Sequence, residues 1–266
     1  MFDYTTFVLI GLLIFTVAIG VHIVIALGIT SVLGVYLVTG NFEIVQKLVG
    51  STSFEALRNY VFAVIPLFML MGEFISKSGA ITDVYRGIQR GLKRIPGRLA
   101  FATVLGNAIF SFVTGVSIAS AAAFTRIAYP EMKRHNYNDG FSLAAITGSS
   151  CLGMLIPPSV LMIVWGILTE RSIGQIFLAG VLPGLLLTSL FIIYIFFASV
   201  LKPSLVGLNK DKTNPNIGIE DDQIGKIEGN VWLSFLWIFG IIATVLGGIW
   251  VGFFSPTEGA GVGATL

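Results

Sequence analysis

Hydroxyl side chains and glycines gathered at the centres of long apolar runs are the residues of this chain with the clearest chemical potential. Thr114-Gly115-Val116-Ser117 lies at the midpoint of a 34-residue apolar stretch, Leu99 to Met132. A second group, Thr147-Gly148-Ser149-Ser150-Cys151-Leu152-Gly153-Met154-Leu155-Ile156-Pro157-Pro158-Ser159, occupies the centre of the run from Phe141 to Leu168. Hydroxyl oxygens and carbonyls released from helical hydrogen bonds can replace the water around Na⁺. Half-helix N-termini offer N–H groups and positive dipole ends to a carboxylate. The chemistry is that of holding ions, not of making bonds. A nucleophile at Ser149 or Ser150, as in an intramembrane hydrolase, lacks a base, because His135 falls in a polar segment and no acid-histidine pattern accompanies the serines. There is no Walker A sequence, so this chain does not itself hydrolyse ATP.

The elements that must hold these residues follow from length and charge. Thirty-four residues exceed one membrane crossing, and Lys and Arg cluster at both ends of the stretch, so both ends face the same side. A segment that leaves on the side it entered turns around inside the bilayer. Each arm, such as Leu99 to Val113, extends about 22 Å as a helix, short of the roughly 30 Å hydrocarbon core. Backbone freed from helical bonds at that depth is tolerated only where it is buried in protein or lines a cavity. In the second run, two glycines and a Pro-Pro pair predict a discontinuous helix. Small residues also serve close helix packing, but packing needs neither the proline pair nor the same-sided charges.

Composition sets the class. Hydrophobic residues make up 55% of the chain, charged residues 11%, and the mean hydropathy is +0.89, the signature of an all-α polytopic membrane protein that lives in a lipid bilayer. The net charge of +2 matters less than its placement, since nine of the 16 Lys and Arg lie between Lys77 and Arg134. These charges border apolar spans without a recognition motif, so nucleic acid is not the expected partner. One cysteine excludes an intramolecular disulfide and a cysteine-rich metal site. The first apolar run lacks a basic start and a short core, which predicts a retained segment, not a cleaved signal.

Four regions are expected. Residues 1–98 form N-terminal scaffold helices and a basic amphipathic segment. Within them, Thr6 to Val38 reads as a full helix and a shorter, tilted one parted at Gly20-Val21-His22, Asn41 to Asn59 as an amphipathic stretch at the membrane interface or on a protein-protein surface, and Tyr60 to Ile75 as a further helix. Ser76 to Arg98 holds six basic residues against Asp83 alone, which places it in the cytoplasm. Residues 99–201 form a transport-type unit: the re-entrant hairpin 99–132, the broken helix 141–168 and a returning helix 173–201. Residues 202–230 read as a cytoplasmic loop. Residues 231–266 hold an outward helix with Trp232, Trp237 and Trp250 at interfacial positions, then a break at Phe254 to Glu258 and the start of a truncated second half.

Phe112 to Met132 (FVTGVSIASAAAFTRIAYPEM), Asn136-Tyr137, Thr147 to Val160 (TGSSCLGMLIPPSV), Ala179 to Gly184 (AGVLPG), Ile65 to Glu73 (IPLFMLMGE) and Phe254 to Glu258 together resemble the large membrane permease subunit of tripartite ATP-independent periplasmic (TRAP) transporters. The resemblance covers the N-terminal portion of that family's pattern. It implies the first half of an inverted-repeat transporter in the bacterial inner membrane. It further implies Na⁺-coupled uptake of an organic acid, a C4-dicarboxylate or a sialic-acid-like carboxylate, delivered by a periplasmic solute-binding protein, with a small TRAP membrane subunit as partner and Na⁺ as the coupling ion. No covalently bound cofactor and no enzymatic activity are implied. By position, Thr114, Gly115, Val116, Ser117, Thr147, Ser150, Gly153 and Pro157 would hold Na⁺, while Thr114, Ser117, Ser149, Ser150 and Pro158 would meet the substrate. The competing expectation is a remnant or assembly fragment of such a permease that does not transport, because the second hairpin and second broken helix are missing.

Other polar residues read more plainly. His22 is expected as a neutral, hydrogen-bonded histidine at a helix break. Arg126 is expected to snorkel to headgroups, Glu73 to pair with Lys77 at i,i+4, and Cys151 to be a buried small apolar side chain.

Overall fold

The computed structural model describes residues 2–58, 60–208 and 231–266. It is all-α, 84% helical, with no strand among the described residues. The chain divides into two compact units, residues 1–60 and 61–266.

The first unit is three helices of 17 residues each: α1 (Phe2–Ala18), α2 (Ile23–Thr39) and α3 (Phe42–Arg58). Gly20, at φ 92°, breaks the first apolar run where the sequence placed the break. The two apolar helices prove equal in length, so the expected shorter second helix is corrected. Each spans about 25 Å at 1.5 Å per residue. His22 occupies the N-cap of α2 without a side-chain cap bond and is exposed, which corrects the expectation of a hydrogen-bonded imidazole. The backbone there is capped by its own turn, with the Ile25 and Ala26 N–H groups both donating to the His22 carbonyl. In α3, Asn41 Oδ1 accepts from Glu43 N at 2.9 Å, and Lys47 pairs with Glu43 at 2.7 Å. Of its apolar positions Val45 is buried, whereas Phe42, Leu48 and Phe54 are exposed.

The second unit opens within a 3₁₀ turn, Tyr60–Ala63, that leads into α4 (Val64–Lys77) and α5 (Ala80–Gly91). The hairpin follows as α6 (Arg98–Thr114) and α7 (Ser117–Arg134). The broken helix is α8 (Asp139–Ser150), the single turn α9 (Leu152–Leu155) and α10 (Val160–Leu168). The unit closes with α11 (Ile173–Leu201), a 3₁₀ turn Pro203–Val206, α12 (Val231–Val251) and α13 (Pro256–Thr265). Of the expected loop 202–230, residues 209–230 lie outside the described residues. Among the described residues, four segments are long and apolar enough to cross a membrane: Tyr60–Lys77, Asp139–Leu168, Ile173–Leu201 and Val231–Val251. α6, at 17 residues and about 25 Å, is shorter than each of these segments.

The core forms around the hairpin. On α6, Phe110 is buried together with Phe124 of α7 and Tyr85 of α5. The Phe124 ring lies 6.0 Å from Tyr85 at 80° and 6.2 Å from Phe110 at 54°, the edge-on and tilted geometries that aromatic quadrupoles favour. Gly106 permits this, because a Cβ there would lie 2.7 Å from Phe124 Cε1. A second cluster, with Leu99, Val104, Met132, Phe141 and Ile195, closes the open end of the hairpin. α5 is held to α12 by Ser234 Oγ donating to Asp83 Oδ2 at 3.0 Å. The expected pair forms, with Lys77 Nζ 3.2 Å from Glu73, and Arg126 is exposed. α13 starts at a full capping box: the Ser255 hydroxyl accepts from Glu258 N at 3.3 Å, and the Glu258 carboxylate accepts from Ser255 N at 2.8 Å.

Candidate functional site

Two residues make the turn of the hairpin. Gly115, at φ 61°, caps α6 by donating its N–H to the Ser111 carbonyl at 3.2 Å. Val116 is extended, and its carbonyl accepts from Ser120 N at 3.2 Å to open α7. At the other end the arms are tied together. Arg98 Nη2 lies 3.3 Å from His135 Nε2, and His135 Nδ1 lies 2.9 Å from the Glu131 carbonyl. The guanidinium can only donate, so Nε2 accepts and Nδ1 carries the proton. Leu99 N also donates to the Tyr137 hydroxyl at 3.4 Å. Burial pushes the Tyr137 phenol up to about 12, opposed by that Leu99 N–H and by the charge of Arg98. The entry and exit of the hairpin therefore share one end of the unit, as the flanking charges predicted.

The break in the second element falls at Ile156 to Ser159. α8 is capped by Asn138, whose side chain accepts from Phe141 N at 3.1 Å. After α9 the chain runs extended through Ile156, passes a cis Pro157-Pro158 peptide and is extended again at Ser159. Proline has no N–H and cannot continue the helical ladder. The Ser159 hydroxyl donates to the Met154 carbonyl at 2.7 Å, using one of the carbonyls left free.

The tip of the hairpin is seated on this break. Val160 N donates to the Gly115 carbonyl at 3.2 Å. A Cβ on Gly153 would lie 3.1 Å from Ser117 N, and one on Gly115 would collide with the Pro158 carbonyl. On the far side α4 closes in, because a Cβ on Gly72 would lie 2.7 Å from Thr114 Cγ2. Gly115, Val116, Ser117, Gly153 and Pro158 are thus brought together and buried, except for the half-buried Val116, and Pro157 is buried next to Pro158.

The remaining expected residues divide. Thr114 is buried and its hydroxyl donates to the Phe110 carbonyl at 3.1 Å. Ser150 is buried with its hydroxyl on the Thr147 carbonyl at 2.7 Å. Thr147 is exposed on α8, its hydroxyl bound to the Leu143 carbonyl at 2.8 Å, and it does not reach the tip. Ser149 is fully buried and donates to the Ala145 carbonyl at 2.6 Å. Cys151 is exposed, contrary to expectation, because the helix turns its side chain to the outer face shared with Thr147 and Met154. Ser117 differs from the other hydroxyl residues of the set: among the described residues its hydroxyl has no hydrogen-bond partner.

Sequence reasoning missed Asn107. Its Nδ2 donates to Ser149 Oγ at 2.6 Å and to the Ile146 carbonyl at 3.4 Å, while its Oδ1 accepts from Ser120 Oγ at 2.6 Å. One buried amide thus joins both arms of the hairpin to α8. The signal was the one amide side chain in a mostly apolar arm, since an amide buried there must find partners. The donors gathered at the tip are neutral oxygens, and the described residues hold no group of three His, Cys, Asp or Glu for a metal ion. Neutral oxygens suit a hard monovalent cation. The first turn of α7, starting at Ser117, adds N–H groups and a positive dipole end for an anion.

A hairpin that enters and leaves on one side, its glycine tip docked on the unwound centre of the next helix, among four segments long and apolar enough to cross a membrane, defines a multi-pass all-α membrane protein. The sequence model described as "Tripartite ATP-independent periplasmic transporter, DctM component" matches residues 10–266, and the chain belongs to that family. It is 33% identical over 215 residues to the C4-dicarboxylate TRAP transporter large permease protein DctM of Pseudomonas aeruginosa, covering 79% of this chain and 46% of the relative. It is 29% identical over 255 residues to the ectoine TRAP transporter large permease protein TeaC of Halomonas elongata, covering 96% and 56%. It is 28% identical over 257 residues to the isethionate TRAP transporter permease protein DctMQ of Oleidesulfovibrio alaskensis, covering 97% and 38%. The chain spans about half the length of the curated relatives it matches. These relatives are permease subunits, not enzymes, and the inner membrane is the location consistent with the family.

Proposed function

We propose that this chain supplies one of the two halves of an ion-coupled uptake site for an organic acid. The observation that carries the reading is the seating of Gly115 to Ser117 on Gly153 to Val160, through the Val160 N–H to Gly115 carbonyl bond. In this reading Na⁺ is cargo, held by the Ser117 hydroxyl and by carbonyls of the tip and of the break at Pro157. The anion meets the first turn of α7 beside Pro158. Thr114 and Ser150 shape the site through their bonded hydroxyls, and Ser149 acts through Asn107. The relatives differ in the solute in their names, so the permease oxygens are best suited to a shared acidic group, with the solute chosen elsewhere. A small membrane subunit and a periplasmic solute-binding protein complete the system, and the fused name DctMQ of one relative supports the first of these.

The test is uptake of radiolabelled organic acids into proteoliposomes that hold the full-length permease, its small subunit and its binding protein. Uptake is expected to require an inward Na⁺ gradient and to be lost in Ser117→Leu. Unchanged uptake without the gradient would remove the coupling ion from this reading.

A further inference from the structure

The connection between α4 and α6 carries exposed positive charge, at Arg86, Lys93 and Arg94, that the proposed ion site does not use. Lys77 to Arg98 contains six basic residues and one acid, Asp83, and that acid faces α12, accepting from Ser234 Oγ at 3.0 Å. α5 buries Ile81, Val84, Tyr85 and Gln89 on one face. Arg86 and Arg90 are exposed on the other, and the exposed Lys93 and Arg94 follow just beyond the end of the helix, at positions 86, 90, 93 and 94. Ile95 follows them and is 38% exposed. Lys77 has its own partner in Glu73, at 3.2 Å.

This segment cannot leave the bilayer surface. It enters from a membrane-spanning segment, Tyr60–Lys77, and exits into the re-entrant arm at Arg98, which touches His135 at the other foot of the hairpin. The guanidinium and ammonium groups therefore sit at headgroup depth on the side that the basic residues mark as cytoplasmic. Phosphate oxygens match guanidinium forks, and the acyl boundary just below accepts an isoleucine. A single-stranded nucleic acid would be met by exposed aromatic rings, but the aromatic residue of this segment, Tyr85, is buried in the core.

We propose that Arg86, Lys93 and Arg94, with Ile95 beside them, form a binding surface for the anionic phospholipid headgroups of the cytoplasmic leaflet, which holds α5 at the membrane interface.

The test places the chain in nanodiscs of phosphatidylcholine with a minority of phosphatidylglycerol and counts the lipids retained on the released protein by native mass spectrometry. Each surface cation contributes about fivefold to anionic-lipid affinity, so R86Q/K93Q/R94Q is expected to lower the preference for phosphatidylglycerol on the order of 100-fold. R86K/R94K is expected to keep most of it, and the unsubstituted chain should lose preference as salt is raised. The proposal is overturned if the triple variant retains phosphatidylglycerol like the parent, or if the charge-conserving variant loses as much as the neutral one. It is equally overturned if the parent's preference does not respond to salt, or if free glycerol phosphate displaces the lipid, which would make the surface a soluble-phosphate site.

Discussion

The Asn107 amide nitrogen lies 2.6 Å from the Ser149 hydroxyl, and the Asn107 amide oxygen accepts from Ser120 at the same distance. One side chain thereby fastens the first arm of the hairpin to the second and to the helix that carries the break. Because it is buried, the amide makes a bonded network when satisfied and a penalty when not.

Replacing Asn107 should therefore cost more than its size. Asn107→Ala leaves Ser120 without its acceptor and is expected to destabilise the chain by about 1–3 kcal/mol. Unfolding in bicelles by steric trapping measures this, and a double-mutant cycle with Ser120→Ala should show coupling. Additive losses would mean that the two side chains act separately.

Ser117 and Ser149 should separate binding from stability. The Ser117 hydroxyl has no partner among the described residues, so Ser117→Ala is expected to leave stability within about 0.5 kcal/mol while weakening the Na⁺ dependence of uptake by the complete system. Ser149→Ala is expected to do the opposite, because that hydroxyl holds Asn107. Unaltered Na⁺ dependence in Ser117→Ala would take this residue out of the site.

Gly115 admits no side chain. Its φ of 61° disfavours any β-carbon by about 1–2 kcal/mol, and the Pro158 carbonyl fills the space. Gly115→Ala is expected to unseat the tip and lower thermal stability in detergent. Gly261→Ala, where nothing lies within 4 Å, serves as the control and should be neutral or slightly stabilising. Equal effects of the two changes would argue against the docked tip.

Both feet of the hairpin should open to one side. In a Cys151→Ser background, Lys93→Cys and Lys133→Cys are expected to react with a membrane-impermeant maleimide in inside-out vesicles. Glu170→Cys, in the turn between α10 and α11, should react in right-side-out vesicles instead. Labelling of Lys93→Cys and Lys133→Cys from opposite sides would make the hairpin a pair of crossings.

The membrane class, the position of nearly every helix and the two interruptions were legible before any coordinates. They depend on local quantities: the length of an apolar run, the charges at its ends, and glycine or proline at its centre. The sequence misplaced what depends on which way a helix faces. Thr147 and, just past the end of α8, Cys151 stand on the outer side, whereas Ser149 and Ser150 are buried, and five consecutive polar or small positions cannot reveal that division. His22 likewise sits at the break where its neighbours predicted one, but its ring gains nothing because the turn closes with backbone bonds.

By itself, then, the sequence determined that Leu99 to Met132 must fold back on itself, since its length and its charged ends allow no single crossing. Only the tertiary structure decided what the fold-back meets. Gly115 lies over Pro158 and Val160, and Asn107 reaches Ser149, across 45 and 42 positions of chain, where a hydrogen bond depends on packing and leaves no periodic trace in the sequence.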